Sequence, residues 1–291
     1  MAASWTSFEV CEDLVRRGDK DRYLTTLFAP ADRRPALQAL YAFNIEVARV
    51  RDLVSDPLPG EMRLQWWRDA LTGCGHGEVG RHPVAAALID TIDRFDLPLD
   101  PFLELVEART FDLYDDPMPT LADLECYCRA TASALMRLGI RVLGAGDCLP
   151  ATAMAQQGGV AYALTGLMRA IPFHAARGQV FLPEDLLARH GADIATVLAG
   201  RETPQLLAAL AELRKVAWAH LCDAGGCIPD IRREAMAALL PIALVKPYLE
   251  RMDRADYRPF ALNCVVPQWR RQLVLWRAAR HAQRCGEARS R

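Results

Sequence analysis

The stretch GGVAYALTGLMRAIPFHAARGQVFLP, residues 158–183, decides the fold of this chain. Its first half continues an uncharged run that extends from Leu149 to Met168 and is long enough to cross a bilayer. Two glutamines, Gln156 and Gln157, and a pair of glycines lie inside this run. We therefore interpret it as a buried core helix and not as a membrane span.

Helical periodicity extends over the rest of the chain. Ala36, Leu40, Phe43 and Val47 recur at spacings of four, three and four residues, which places them on one face of a helix. Alternating apolar and polar residues are scarce, and prolines and glycines separate the periodic stretches. The pattern predicts about ten helices of roughly 10 to 25 residues each. Since no linker or internal repeat is present, we expect one all-α domain over residues 1–291.

Composition excludes several classes of protein. With 52% hydrophobic and 24% charged residues, the chain of 291 residues is neither disordered nor a polytopic membrane protein. Its 35 basic and 36 acidic residues argue against a nucleic-acid partner. The nine cysteines form no CxxC pair, which favours a reducing compartment. Residues 1–10 lack the features of a signal peptide, so we expect a cytoplasmic location.

A second informative segment, YAFNIEVARVRDLVSD at residues 41–56, carries two aspartates. Asp52 and Asp56 are four residues apart, so they share a face wherever a helix runs through both. Such a pair is a candidate for binding a divalent cation. The alternative is a solvated helix end before Pro57.

Taken together, the two segments resemble the squalene/phytoene synthase superfamily. The match runs in order from about Tyr23 to Tyr257, and its most specific parts are the aromatic start of residues 41–56 and the Arg-Gly-x-Val-aromatic-Leu-Pro end of residues 158–183. The resemblance implies an isoprenoid synthase fold, with helices around a central cavity and a core at about residues 21–258. In that family, aspartates four apart on two facing helices hold Mg²⁺, and the Mg²⁺ ions bind the diphosphates of prenyl substrates.

The first aspartate motif of the family is incomplete here. With Tyr41 as the anchor, the first family position falls on Ala48, and only Asp52 remains. A shift by four residues gives Asp52 and Asp56 instead. We prefer the unshifted register because it also brings Trp67 and Arg68 near their expected place.

The second aspartate motif is absent. Ala170 and His174 stand where the family has aspartates, and Pro172 between them is expected to interrupt or kink the helix. We therefore expect no metal and no other cofactor, because Mg²⁺ prefers hard oxygen ligands. If the chain is nevertheless an active synthase, Mg²⁺ bound near Asp52 and Asp56 is the expectation.

A further acidic cluster consists of Asp112, Asp115 and Asp116. These residues are candidate metal ligands only if the tertiary structure brings them to Asp52.

The departures themselves resemble one branch of the superfamily, that of the mitochondrial complex I assembly factor and its bacterial relatives. Asn44, the Arg51-Asp52 step and the Pro172-aromatic-His174 feature carry this resemblance. It implies a prenyl-synthase fold reused in assembly of respiratory complex I, with complex I subunits as partners. Two alternatives stay open: a Mg²⁺-dependent enzyme joining two prenyl diphosphates head to head, and a protein that binds a prenyl lipid in the inherited cavity.

Several residues of the two segments are candidates for a ligand site. Arg169 and Arg177 suit an anion such as a diphosphate, or else they form structural salt bridges. We expect an elongated apolar pocket with one of these arginines near its mouth. The candidate cavity residues are Tyr41, Tyr127, Tyr162 and His174. For the tyrosines the alternative is simple burial with satisfied hydroxyls, and for the histidine a structural hydrogen bond.

The C-terminal region predicts a basic amphipathic helix at about residues 267–284. Trp269, Leu273 and Trp276 follow helical spacing, with five arginines around them. One interpretation is a terminal helix docked on the core by its tryptophans. The other is a helix that contacts an anionic membrane surface, which would make the protein peripheral at the inner face of the cell membrane.

Overall fold

The computed structural model describes residues 6–75, 79–225, 231, 233–261 and 264–289, with side chains left undescribed at 233 and 282–289. Fifteen α-helices lie in these ranges. They are α1 (Ser7–Gly18), α2 (Lys20–Thr26), α3 (Arg34–Ala48), α4 (Pro57–Thr72), α5 (Pro83–Phe95), α6 (Asp100–Ala108), α7 (Leu121–Cys128), α8 (Ala134–Val142), α9 (Leu149–Ala175), α10 (Glu184–Arg189), α11 (Ile194–Leu198), α12 (Pro204–Gly225), α13 (Met236–Leu239), α14 (Val245–Met252) and α15 (Gln268–Arg289).

Short irregular helical segments join several of these helices. The segments of 3-10 helix are Val50–Leu53, Val79–Arg81, Phe111–Leu113, Arg233–Ala235 and Leu240–Leu244. A π-helical segment, Arg129–Ser133, connects α7 to α8 without a loop. The all-α prediction is confirmed, since no described residue is in a strand. The described helices are more numerous and often shorter than expected, because these tighter and wider turns divide segments that look continuous in sequence.

Helix α9 is the central element of the fold. It has 27 residues, and eleven of them are buried, including Val160, Leu164 and Met168. It packs along α12 and also contacts α8, α14 and the π-helical segment. The interpretation of the uncharged run as a buried core helix is confirmed. No helix in the described ranges is long and apolar enough to cross a membrane.

Pro172 lies inside α9, in its last turn. The helix continues for three residues beyond the proline, to Ala175, so the expected interruption does not occur there. A proline so close to the end removes one backbone hydrogen bond but leaves few later turns to disturb.

Two glycines let neighbouring helices approach α9 closely. A Cβ atom added at Gly159 would lie 2.6 Å from the Cα atom of Ser133 in the π-helical segment. On the adjacent position, a Cβ at Gly158 would lie 2.4 Å from Cδ1 of Ile242. The Ser133 hydroxyl donates a hydrogen bond of 2.8 Å to the carbonyl oxygen of Gln156. This contact fixes the π-helical segment against α9.

Helix α15 covers the predicted C-terminal helix and extends five residues beyond it. It is docked by Leu275 and Ala279, which are buried against a cluster that includes Tyr248. Trp269 and Trp276 are 66% and 47% exposed, so the tryptophans do not dock the helix on the core.

The contact between α9 and the π-helical segment leads to a stability prediction. We expect Gly159→Ala to lower the free energy of unfolding by about 1–3 kcal/mol, because the new methyl group overlaps backbone that cannot move freely. Gly166→Ala on the same helix is the control: its Cβ would meet nothing within 4 Å. That control should be neutral or stabilising by up to about 1 kcal/mol. Urea denaturation measures both, and equal effects would contradict the close approach.

Candidate functional site

A cavity of about 210 Å³ lies between α2, α3, α7, α9 and α14. Three arginines, Arg22, Arg109 and Arg169, come from different parts of the chain to line it. The remaining polar and aromatic lining residues are Asp21, Asn44, Tyr127, Thr131, Tyr162, Thr165 and Tyr248. The cavity is therefore compact and rich in polar groups, whereas the sequence predicted an elongated apolar pocket. Its charged lining residues are the three arginines and one carboxylate, Asp21, so the charged groups of the wall are mostly cationic.

Arg22 is buried in the wall of this cavity. Its guanidinium donates to Asp19 at 3.1 Å and lies over the rings of Tyr41 and Tyr162, at 5.5 and 5.2 Å from their centroids. Burial raises the pKa of the Tyr41 hydroxyl to about 12 and that of Tyr162 still further. Both tyrosines stay neutral over the physiological range. Tyr162 lines the cavity, and Tyr41 lies behind it in the core.

A buried network of charged and polar groups forms another part of the wall. Arg109 donates to the Asp112 carboxylate at 2.9 Å and to the Tyr127 hydroxyl at 2.6 Å. Tyr127 in turn donates to the second oxygen of Asp112 at 2.8 Å. Burial raises the pKa of Asp112, and the adjacent Arg109 opposes this shift. Nε of Arg109 is buried and has no hydrogen-bond partner.

Arg169 lies at the exposed edge of the cavity. Its guanidinium stacks on the ring of Tyr248 at 3.7 Å from the centroid. Asp21 also lines the cavity. Arg271 of α15 donates hydrogen bonds of 2.6 and 2.7 Å to the two carboxylate oxygens of Asp21. Among the described residues, no carboxylate is paired with the Arg169 guanidinium.

Asp52 and Asp56 do not share a helix face. Helix α3 ends at Ala48, Asp52 falls in the following 3-10 segment, and Asp56 is the N-cap residue of α4. The carboxylate of Asp52 accepts a hydrogen bond from Arg177. This exposed ion pair connects the two segments singled out in the sequence. It also places Arg177 at the surface and away from the cavity wall.

The acidic cluster at residues 112–116 does lie beside the first segment. Asp115 accepts from Arg51 at 3.2 Å, and Asp112 is close enough to Asp52 for their charges to interact. Three of the carboxylates in this region have arginine partners, since Asp52 pairs with Arg177, Asp112 with Arg109 and Asp115 with Arg51. Over the described ranges, no group of three or more histidine, cysteine or acidic side chains is arranged to hold a metal ion.

His174 packs away from the arginine-lined cavity. Its ring lies 4.6 Å from the ring of Phe181, in a satellite of the core formed with residues of α7, α9 and α12. Burial, and secondarily the charge of Arg177, lower its pKa from 6.5 to about 4. The side chain is neutral at physiological pH.

Sequence reasoning missed Arg22, Arg109 and Tyr248, which lie outside the two quoted segments. The only local signal is a helical i, i+3 spacing to an aspartate, as in Asp19–Arg22 and Arg109–Asp112. That spacing predicts an ion pair but does not indicate a cavity.

An all-helical domain with a central cavity between the two quoted segments has the architecture expected of an isoprenoid synthase. The chain belongs to the squalene/phytoene synthase family, whose model matches residues 15–277. It is 30% identical over 273 residues to NADH dehydrogenase (ubiquinone) complex I, assembly factor 6 from Rattus norvegicus, covering 90% of this chain and 82% of that protein. It is 27% identical to a phytoene synthase from Arthrospira platensis, covering 92% of this chain and 91% of the synthase.

A solved structure has the same fold. The crystal structure of a squalene synthase from Alicyclobacillus acidocaldarius matches with a TM-score of 0.74 and 26% identity. The match covers 87% of this chain and 95% of the synthase. The fold and the family thus agree with the resemblance carried by residues 41–56 and 158–183.

The lowered pKa of His174 leads to a prediction about acid stability. Between pH 6.5 and 4 the unfolded chain binds a proton at this residue and the folded chain does not. Its contribution to stability is therefore complete above pH 6.5 and is lost as the pH falls toward 4. We expect the unfolding free energy of the wild type to fall more steeply than that of His174→Gln over this range. Urea denaturation at pH 7 and pH 5 tests this, and equal slopes would contradict it.

Proposed function

We propose that this chain is a family member that no longer works as a Mg²⁺-dependent synthase and acts in assembly of respiratory complex I. The proposed loss of Mg²⁺-dependent synthase activity is supported by the pairing of carboxylates near the cavity with arginines. Asp21, Asp52 and Asp112 each meet an arginine at the cavity or beside it. A carboxylate held by a guanidinium fork has few lone pairs left for a metal ion.

The donor set around the cavity does not fit a Mg²⁺ cluster. Mg²⁺ needs oxygen ligands in near-octahedral geometry and is usually held by one or two carboxylates plus substrate phosphates. The resemblance to the family places Ala170 where an aspartate is expected, and three arginines line the cavity. Arg22 and Arg109 are paired with Asp19 and Asp112, and the charge of Arg169 opposes a divalent cation, so we propose no metal and no other cofactor for this chain.

The cavity supports a binding role in place of catalysis. Arg169 at the edge provides a planar donor for an anionic group, and Tyr162, Tyr248 and Leu244 provide apolar surface behind it. The ligand class that we propose is a prenyl phosphate or a prenyl lipid, with its polar head in the cavity. We propose that such a ligand binds without metal.

The role in complex I assembly rests on the relatives. The rat protein described as a complex I assembly factor matches over 90% of this chain. We propose complex I subunits as partners on this basis.

A paired experiment separates this proposal from an active synthase. We expect purified protein with geranylgeranyl or farnesyl diphosphate and Mg²⁺ to give no C40 or C30 hydrocarbon. We also expect Asp52→Ala to restore complex I to cells lacking the chain as well as the wild type does, because an exposed ion pair contributes only about 0–1 kcal/mol. Arg169→Glu, which reverses the charge at the cavity edge, should restore it poorly. Blue-native gels quantify the assembled complex.

Metal-dependent turnover that is lost in Asp52→Ala would contradict the non-catalytic role. Normal complex I in cells lacking the chain would contradict the role in assembly. The two results are independent, so either part of the proposal can fail alone.

We further propose that α15 attaches the protein to the inner face of the cell membrane. Trp269 and Trp276 lie on an exposed flank of α15, about 100° around the helix from Leu275, with Arg280 stacked 4.8 Å from the Trp276 ring. Arg270 and Arg277 on the same helix are exposed as well. Amphipathic aromatic rings and arginines favour the anionic headgroup region of a bilayer.

Flotation with anionic liposomes tests this attachment. Each basic residue near such a surface contributes on the order of 1 kcal/mol, so Arg270→Glu/Arg277→Glu should abolish flotation at low salt. High salt should weaken flotation of the wild type. Lys215→Glu/Arg189→Glu, which changes charge equally on other helices, should float normally. Failure of the wild type to float, or equal flotation of the α15 variant, would contradict the proposal.

A further inference from the structure

A broad groove crosses the outer surface of α4, α6 and α7 and is distinct from the arginine-lined cavity. It has a volume of about 1310 Å³ and meets the cavity only at Tyr127, which lines both. Leu103, Phe111 and Met118 form part of its mostly apolar floor. Pockets for small ligands usually measure about 300–1,000 Å³ and enclose most of the ligand. This open groove is larger, and its size suits a segment of polypeptide.

The walls of the groove are helix faces. On α4, Gln65, Asp69 and Thr72 line it at spacings of four and three residues. On α7 and the π-helical segment, Asp123, Cys126, Tyr127 and Ala130 do so at spacings of three, one and three. These are the rows that side chains of an incoming helix fill when two helices pack.

The groove continues along α4 into an adjacent hollow of about 620 Å³. Gln65, Arg68 and Glu107 line both. The hollow reaches Leu58, which is 66% exposed, and Met62, which is 67% exposed. From Leu58 to Thr72 the path follows fourteen residues of helix, or about 21 Å at 1.5 Å per residue. A helix of four turns has this length.

The rim of the groove is strongly acidic. Five carboxylates line the groove and only one cationic side chain does, Arg68, which is itself paired with Glu107. The five are Asp69, Glu104, Glu107, Asp116 and Asp123. The chain as a whole has 35 basic and 36 acidic residues, so this surface departs sharply from the average. The field at the groove favours a basic partner.

We propose that this groove binds an amphipathic helix of another protein, with apolar side chains on one face and lysines or arginines beside them. Apolar side chains at i, i+4 and i+7 of the incoming helix would contact the floor, and its basic residues would face the carboxylates of the rim. Strand addition offers no alternative at this surface, because none of the described residues forms a sheet edge. The groove is separate from the residues used in the proposed function, so either inference can fail alone.

Photo-crosslinking in cells tests the groove in the full chain. Gln65, which is exposed and lines the groove, is replaced by p-benzoylphenylalanine, and Asp90 on α5 is replaced in the same way as the control position. The crosslinked peptides are then sequenced by mass spectrometry. We expect Gln65→p-benzoylphenylalanine, and not the control, to yield adducts that map to a basic amphipathic segment of a different protein.

Charge reversal distinguishes specific docking from chance proximity. We expect Glu104→Lys/Asp116→Lys to reduce the adduct yield about tenfold, because both carboxylates lie on the rim of the groove. Asp90→Lys/Asp93→Lys makes the same charge change on the exposed side of α5 and should leave the yield unchanged. Circular dichroism of each variant shows that the fold is kept.

Four outcomes would overturn the proposal. These are adducts to a second copy of this chain, adducts to lipid alone, adducts to segments without basic residues, and yields from Gln65 no higher than those from Asp90. The first two would reassign the groove to self-association and to lipid binding, respectively.

Discussion

A carboxyl group buried between helices needs charged and hydrogen-bonding partners, and Asp112 has them in Arg109 and Tyr127. The network joins the end of α6 to α7, and Gln179 adds a third element by donating to the Asp112 carbonyl at 2.6 Å. Removing one partner of a buried ion pair typically destabilises a protein by about 3–5 kcal/mol, because the other charge is left uncompensated. The relative placement of the cavity wall, the groove and the chain that follows α9 depends on this one interaction.

The same rule explains the character of the cavity. Asp21, Asp52 and Asp115 each meet an arginine, so the charges near the site are neutralised within the protein. These ion pairs hold the helices around the cavity in place without a metal ion. Of the three arginines that line the cavity, Arg22 and Arg109 pair with aspartates, whereas none of the described carboxylates pairs with Arg169, which makes Arg169 the proposed contact for an anionic ligand.

Much of the fold can be predicted from the sequence, because helical periodicity and uncharged runs indicate which helix faces are buried. The start and burial of α9 and the position of α15 are examples. The end of α3 at Ala48 could not be predicted, since no glycine or proline lies between Ala48 and Pro57. Of the site, Arg169, Tyr127 and Tyr162 were predicted as candidates and line the cavity. Arg22 and Arg109 could not be found, because only tertiary packing brings them to α9.

The docking of α15 also limits the distance between the cavity and any surface that contacts the exposed side of this helix. One side of the helix is buried by Leu275 and tied to Asp21 through Arg271, and Asp21 lines the cavity. A helix with its side chains is about 10–12 Å in diameter. Any surface that engages the tryptophan flank of α15 therefore lies within about one helix diameter of the cavity wall. A lipid with a long isoprenoid tail is longer than this distance. With its head in the cavity, the end of its tail would still reach the bilayer. Such a lipid would pass between the bilayer and the cavity without diffusing through bulk water.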